Sequence, residues 1–175
     1  LIDNNTYNLL LGAEGRIGNF YLDFGVRSSE SKYYEFGRNY VVGGIAQQLI
    51  SDGTYDIYNP FGNDRAVLDS MIATINRDSI FKLEEVYATA SIDLWEMGGG
   101  TSGLAFGVEF RDEEYADIYD TLQSSGQIVG SAGNSASGGR SIKAAFAELL
   151  MPVWDTVGVS LAARYDDYSD YGNDT

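Results

Sequence analysis

The sequence predicts an all-β fold, in which about six antiparallel strands run up and down as a fragment of a transmembrane β-barrel. Apolar and polar residues alternate with a period of two over several stretches, as expected of strands with two unlike faces. Glycine (21 residues) and tyrosine (13) are abundant while proline (2) is rare, which favours twisted antiparallel sheet over a helical bundle. Short and long connections take turns between the alternating stretches.

The N-terminal part of the chain predicts a β-hairpin. Apolar and polar residues alternate from Tyr7 to Ile17 and again from Phe20 to Tyr34. Gly18 and Asn19 lie between the two stretches and are typical of a tight turn. The polar side of this hairpin carries four charged residues, namely Glu14, Arg16, Asp23 and Arg27.

A long connection follows the hairpin, because the alternation stops between Glu35 and Asp78. Within it, Asp64 is predicted to cap a short helix from Arg65 to Asn76, where apolar residues recur at helical spacing. Connections of this length inside compact domains are usually functional loops. The connection is therefore a candidate binding region.

Four more strands are predicted after this connection. The glycine-rich turn at 98–102 joins the third strand to the fourth, and it lacks the following helix that a phosphate-binding loop requires. A second long connection, 116–141, precedes the fifth strand, and Asp155 marks a short turn before the sixth. The chain ends in a polar segment, 166–175, without a strand pattern. The four predicted strands are Ser79–Trp95, Gly103–Arg111, Ile142–Val153 and Val157–Tyr165.

The two faces of these strands indicate a membrane sheet. A sheet that packs a water-soluble core should have a plainly hydrophilic second face, whereas here that face mixes small residues with isolated charges, as in a wet barrel lumen. Trp95 and Trp154 lie beside short turns, where an aromatic girdle is expected. Six strands are too few to close a barrel, so an arc of a larger one is predicted. The candidate lumen-facing residues are Glu14, Arg16, Asp23, Arg27, Glu109, Arg111, Glu148 and Arg164.

Composition excludes several classes of function. The net charge of −15 argues against nucleic-acid binding, which needs lysine and arginine to meet phosphates. The chain has no cysteine and no histidine, so disulfides, thiolate metal sites and histidine-based catalysis are not expected. We expect neither catalytic residues nor a cofactor nor a metal ion. The start of the chain lacks the pattern of a signal peptide, which is expected either of a cytoplasmic protein or of a piece that lacks its true start. The chain does not begin with Met, which favours the piece.

Two groups of acidic residues are candidate sites. Glu109 and Glu148 could form the carboxylate pair of a glycoside hydrolase, but Arg111 and Arg164 on the same face disfavour the protonated acid that this reaction needs. Carboxylates at the end of the chain could bind Ca²⁺, but their spacing is not that of an EF-hand, and solvated loop acids explain them better. These terminal carboxylates are Asp166, Asp167, Asp170 and Asp174.

Several stretches carry a resemblance to a known family. They are Gly107–Tyr115 and Asp117–Asp120, Gly130–Ser135, Ala147–Val153 and Ala162–Asp170, together with Tyr58-Asn59-Pro60-Phe61 before the short helix. As an ensemble covering most of residues 45–172, they resemble the barrel of TonB-dependent outer-membrane receptors. In that family, a barrel of about 22 strands surrounds an N-terminal plug, whose TonB box couples to the energy source of the inner membrane. The plug, the TonB box and the closing strands are expected in a parent protein, of which residues 1–175 are part of the barrel.

The resemblance implies a location and a function. The parent would lie in the outer membrane of a Gram-negative bacterium, bind a scarce nutrient outside and import it by TonB-coupled active transport. Its implied partners are outer-membrane lipid, its own plug domain, TonB and a small nutrient of unknown class, with no nucleic acid. The alternative is a soluble, non-catalytic β-sandwich that binds carbohydrate or protein. Aromatic residues of the long loops are the candidate ligand contacts: Tyr55, Tyr58, Phe61, Tyr115 and Tyr119.

Overall fold

The computed structural model describes residues 1–174, and the chain is an all-β protein. Its strands lie in one sheet and are hydrogen-bonded in sequence order, each antiparallel to the next, which confirms the predicted up-and-down arrangement. The strands are β1 (Ile2–Ile17), β2 (Phe20–Val41), β3 (Ile72–Met97), β4 (Gly100–Tyr119), β5 (Ala136–Trp154), β6 (Val157–Tyr168) and β7 (Gly172–Asp174). A sandwich needs two packed sheets, and residues 1–174 form only this one.

The strands are longer than predicted. β1 begins at Ile2 rather than Tyr7, and β2 continues to Val41 rather than ending near Tyr34. The backbone groups of Leu1 and Phe36 exchange two hydrogen bonds of 2.8 Å, so pairing continues beyond the alternating stretch. The hydrogen bonds between paired strands are made by backbone groups. Polar residues can therefore extend the pairing once the register of the two strands is set. The three predicted short turns are confirmed at 18–19, 98–99 and 155–156.

The predicted helix exists but is shorter. Asp64 caps it by accepting a hydrogen bond from the Ala66 amide, as expected, yet α2 covers only Arg65–Ser70. The prediction to Asn76 is wrong because β3 begins at Ile72. The apolar residues at 71–75 fit both the period of a helix and the period of a strand. Ile75 packs in a small core, and this packing favours the strand. Two other helices, α1 (Gly43–Ser51) and α3 (Thr121–Ser124), and a 3₁₀ turn at Pro60–Gly62 were not predicted.

The chain forms two compact units, here called unit 1 (residues 1–5, 31–80 and 115–138) and unit 2 (6–30, 81–114 and 139–174). Unit 1 has a small core of Val42, Ile75 and Ile128. Val42 and Ile128 also form a β-bridge, and the Gly43 amide donates to the Gln127 carbonyl at 2.8 Å. The two long connections are therefore joined to each other.

Unit 2 differs from an ordinary soluble sheet. The well-buried side chains of its strands are few, and include Ile142 and Ala144. Many large apolar side chains are instead exposed, including Leu9, Leu11 and Val108. No helix within residues 1–174 combines the length and apolar character needed to cross a membrane.

The terminal polar segment also contains a strand that was not predicted. Gly172–Asp174 pairs with the end of β6, where Tyr168 lies opposite Gly172. Gly172 has a φ of 93°, a value that glycine adopts without strain and that allows the chain to turn back after β6. Thr175 lies outside the described residues.

Candidate functional site

One face of the sheet in unit 2 carries paired charges. Arg27 contacts Glu85 at 3.3 Å, joining β2 to β3. On β4, Glu109 contacts Arg111 at 3.6 Å and Arg164 of β6 at 3.4 Å. The ion pairs therefore cross several strands, and each arginine has a carboxylate within reach.

Three of the other four predicted residues of this face also have side-chain partners, namely Glu14, Arg16 and Glu148. Glu14 accepts a hydrogen bond from the Tyr21 hydroxyl at 2.6 Å, and Glu148 accepts one from Ser160 at 2.9 Å. Arg16 contacts Asp93 at 3.6 Å. Asp23 lies two residues after Tyr21 on β2 and therefore shares its face. Its backbone carbonyl accepts a hydrogen bond from the Thr89 hydroxyl. The structure thus assembles the eight candidate residues into one charged face, and their exposure to a lumen stays a prediction.

Two aromatic rings on the charged face were missed by sequence reasoning. The Tyr87 ring lies over Gly25, where an added Cβ would come within 2.8 Å of it. The Phe146 ring lies over Gly107, where the corresponding distance is 2.6 Å. Each ring fills the space left by a glycine on a neighbouring strand. The sequence does contain a signal for these two rings, because Tyr87 and Phe146 each interrupt a run of small residues.

The opposite face of unit 2 is apolar and exposed. Phe106, Val108 and Phe110 alternate along β4 with exposed fractions of 40%, 57% and 41%. Leu161 on β6 is 59% exposed. Trp95 and Trp154, beside the short turns, are also exposed. A large contiguous apolar surface is unusual on a soluble monomer and marks contact with a protein or a membrane.

The acidic candidates contact basic or hydroxyl side chains. Glu109 is bound to two arginines, and Glu148 to a serine. Within the described part of the chain, no group of three or more acidic side chains is placed to hold a metal ion. Of the terminal carboxylates, Asp166 binds Arg164 at 2.9 Å instead, and the side chain of Asp174 lies outside the described residues.

The long connection between β2 and β3 presents two of the predicted ligand contacts. Tyr58 is 96% exposed and Phe61 is 99% exposed. The backbone beneath them is held by Asp56, which accepts from the Tyr58 amide at 2.9 Å, and by Asn63, whose side chain donates to three carbonyls. Tyr55, a third candidate, is half-buried. The two exposed rings are therefore carried on a turn with many internal hydrogen bonds.

The remaining two ligand candidates lie near the end of a strand. Tyr115 and Tyr119 belong to β4, not to the loop that follows it, because the strand continues to Tyr119. The Tyr115 hydroxyl donates to Asp117 at 3.4 Å, and the Tyr119 ring lies 4.4 Å from the guanidinium carbon of Arg77. Tyr115 is nevertheless 46% exposed, whereas Tyr119 is half-buried.

Arg77 and Asp117 form an ion pair with two hydrogen bonds in unit 1, and it was not predicted. Two guanidinium nitrogens of Arg77 contact the carboxylate at 2.7 and 2.6 Å, and Ser79 donates to it at 2.6 Å. These hydrogen bonds, that from Arg77 above all, lower the pKa of Asp117 to about 2, and the same pair raises the pKa of Arg77. Sequence reasoning missed this group because residues 71–78 were assigned to a helix and a loop.

No protein-family model, no curated protein and no solved structure matches this chain. Function must therefore be inferred from the two faces of unit 2, the exposed rings of unit 1 and the resemblance of the sequence stretches described above.

Proposed function

We propose that this chain is a membrane-spanning arc of the barrel of a TonB-dependent outer-membrane receptor, whose parent imports a scarce nutrient. The observation that carries the proposal is that unit 2 exposes large apolar side chains, which a water-soluble protein would bury. One face of its sheet carries large exposed apolar side chains, and the other face holds ion pairs. In a barrel of this kind the apolar face meets lipid and the charged face lines the wet interior.

Energetics favour a lipid environment for the apolar face. Transferring one large apolar side chain out of water stabilises by about 1.5–3 kcal/mol. Leu9, Leu11, Val108 and Leu161 are all more than half exposed. Burial of such a row in hydrocarbon would therefore be strongly favourable, whereas exposure to water promotes aggregation.

The strand segments of unit 2 are long enough to cross a bilayer. The part of β3 within this unit runs from Phe81 to Met97, and the part of β4 from Gly100 to Glu114. A tilted membrane strand needs only about 9–11 residues. Charges on the apolar face would be costly in hydrocarbon. Arg27, Arg111 and Arg164 are paired on the opposite face, and the Lys82–Glu114 pair of the apolar face lies at one end of these two segments.

The receptor part of the proposal assigns ligand contact to the long connections. The rings of Tyr58 and Phe61 supply flat surface for a ligand. Because both are almost fully exposed, ligand binding would not require them to leave contacts within the chain. In the family that the chain resembles, loops of this kind lie outside the cell, where the nutrient arrives. Tyr115 and Tyr119 stay proposed contacts, although both also contact the Arg77–Asp117 pair.

The membrane part is tested by purifying the chain with and without detergent. We expect aggregation in buffer, and a folded, β-rich chain that floats with phospholipid vesicles after reconstitution. A monodisperse monomer that melts cooperatively in plain buffer would contradict the proposal.

The receptor part is tested by determining the coding sequence on both sides of this segment. A plug domain upstream and a final strand ending in an aromatic residue downstream are expected. An open reading frame that encodes only these 175 residues would rule out the receptor while leaving the membrane part standing.

A further inference from the structure

The apolar face of unit 2 ends at the same level on neighbouring strands. On β3, the alternate residues of this face are apolar as far as Val86, and the next one is Glu84. On β4, they are apolar as far as Phe110, and Asp112 follows. A groove of about 330 Å³ contains both sides of this boundary, since it is lined by Val26, Val86 and Phe110 and by Ser28, Glu84 and Asp112. The change from apolar to polar residues therefore crosses β2, β3 and β4 side by side.

The same boundary continues on β5 and β6. Lys143 lies opposite Asp167, whereas the next pair on this face is Ala145 with Tyr165. The pairs that follow toward the short turn are apolar, namely Ala147 with Ala163, Leu149 with Leu161 and Met151 with Val159. Each strand from β2 to β6 thus has a charged residue at the end of its apolar stretch. These residues, here called the charged belt, are Glu30, Glu84, Asp112, Lys143 and Asp167.

The other end of the apolar face lies at the short turns. Trp95 and Trp154 lie beside two of these turns and are exposed, and Glu96 is the first charged residue of this face after Leu94. The apolar face is therefore a band that crosses all the strands from β2 to β6 and is bounded only along the strand direction. A protein interface is instead a patch with a polar rim on all sides. A band of this shape fits hydrocarbon between two aqueous layers.

The height of this band sets the thickness of the hydrocarbon that it fits. From Val86 to Leu94, β3 is about 26 Å long at roughly 3.3 Å per residue. A tilt of about 40°, which is usual in membrane barrels, reduces this length to roughly 20 Å along the membrane normal. The hydrocarbon core of a typical bilayer is thicker, at about 30 Å. A thicker core must become thinner around the sheet or cover charges of the belt, and both changes cost free energy.

We infer that the apolar face selects a thin bilayer, with a hydrocarbon core of about 20 Å, and that the charged belt lies in the headgroup layer of that bilayer. Val86 and Phe110 are then the outermost residues in hydrocarbon on their strands, and Lys143 pairs with Asp167 among the headgroups. This inference rests on the proposed membrane location and specifies where along the strands the bilayer ends.

The test is a competition between bilayers that differ only in thickness. The full chain in detergent is offered equal amounts of dilauroyl and dioleoyl phosphatidylcholine vesicles, which are afterwards separated by density. We expect about tenfold more inserted chain in the thinner dilauroyl vesicles, because each ångström of mismatch adds a small cost and the two cores differ by several ångströms. Equal amounts in the two kinds of vesicle would overturn the inference but leave the membrane location standing.

Two double variants show whether the belt sets this preference. Glu84→Leu with Asp112→Leu lengthens the band and should reduce the preference to less than about threefold. Glu14→Leu with Asp93→Leu is the matched control, because it removes two carboxylates of the charged face and should retain the preference of the wild type. Equal effects of the two double variants would overturn the inference. Absence of the chain from both kinds of vesicle would overturn the proposed function as well, and a soluble dimer would show that a second copy covers the face.

A depth measurement locates the boundary without a change in the belt. A fluorophore is attached at single cysteines in Lys82→Cys, Val86→Cys and Ala90→Cys, which lie on one face of β3. In dilauroyl vesicles whose acyl chains carry bromine, we expect strong quenching at Ala90, weaker quenching at Val86 and none at Lys82. Strong quenching at Lys82 would place the charged belt in hydrocarbon and contradict the inference, whereas no quenching at any of the three would contradict the membrane location itself.

Discussion

Leu161 and Ala162 are neighbours on β6, and their side chains lie on opposite faces of the sheet. Leu161 pairs with Leu149 of β5, whereas Ala162 pairs with Glu148. The alternation of side chains along a strand thus places two adjacent residues in different environments. The same alternation places the arginines of unit 2 against carboxylates and its leucines on the exposed face.

Arginine substitutions at these two positions should separate the faces. Leu161→Arg places a charge on the apolar face, and we expect it to cost about 2–4 kcal/mol of stability in a bilayer if the site lies near the midplane. Ala162→Arg places the same charge beside Glu148 and should cost less than about 1 kcal/mol. Unfolding in vesicles of both variants measures the difference, and equal costs would contradict the assignment of faces.

The Arg77–Asp117 pair gives unit 1 a predictable pH dependence. The pKa of Asp117 is about 2 in the folded chain, against an ordinary value of 3.8. Because the folded pKa is the lower one, the carboxylate stabilises the fold above pH 4, and this contribution is lost as the pH falls from about 4 to 2. The contribution is on the order of 2 kcal/mol.

Asp117→Asn should therefore destabilise unit 1 near neutral pH and remove its part of the pH dependence. Hydrogen exchange of the amides of residues 72–80 and 115–119, measured at pH 5 and pH 2.5, reports on it. Wild type should lose protection at the lower pH, while Asp117→Asn should already be weakly protected at pH 5. Ser79→Ala is the control, since it removes a single hydrogen bond but retains the ion pair. Identical pH responses in wild type and Asp117→Asn would refute this role.

At the scale of elements, period-two patterning predicted the strands and the three short turns, because turn residues and alternation are local features. The ends of the strands could not be predicted from it. β1, β2 and β3 extend through polar residues, whose pairing depends on partners far away in sequence. For the same reason Tyr119 was assigned to the loop 116–141, and residues 71–76 to a helix that ends at Ser70.

The turn that carries Tyr58 and Phe61 should keep its structure without the two rings. Both side chains are almost fully exposed, so Tyr58→Ser with Phe61→Ser should change stability by no more than about 0.5 kcal/mol. Asn63→Ala removes the side chain that bonds three carbonyls and should release the turn locally. Thermal unfolding and proteolysis of residues 52–64 measure both effects. A large loss of stability in the double variant would show that the rings pack against the chain.

At the scale of the whole molecule, the sequence predicted the all-β class and the presence of one apolar and one charged face. It did not reveal how the charged face is filled, because the contacts of Gly25 with Tyr87 and of Gly107 with Phe146 depend on the register between strands. The division into two units, and the joining of the long connections through Val42 and Ile128, likewise depend on three-dimensional contacts.

The central claim is that the exposed apolar face of unit 2 meets hydrocarbon, and a labelling scan along β6 tests it most directly. An environment-sensitive fluorophore is attached at single cysteines introduced one at a time from Val157 to Tyr165, in a chain that contains no native cysteine. Vesicles with brominated acyl chains then serve as the quencher. Strong quenching is predicted at Val157, Val159, Leu161, Ala163 and Tyr165, and weak quenching at the residues between them. Uniform quenching at all nine positions, or none at any, would contradict the claim.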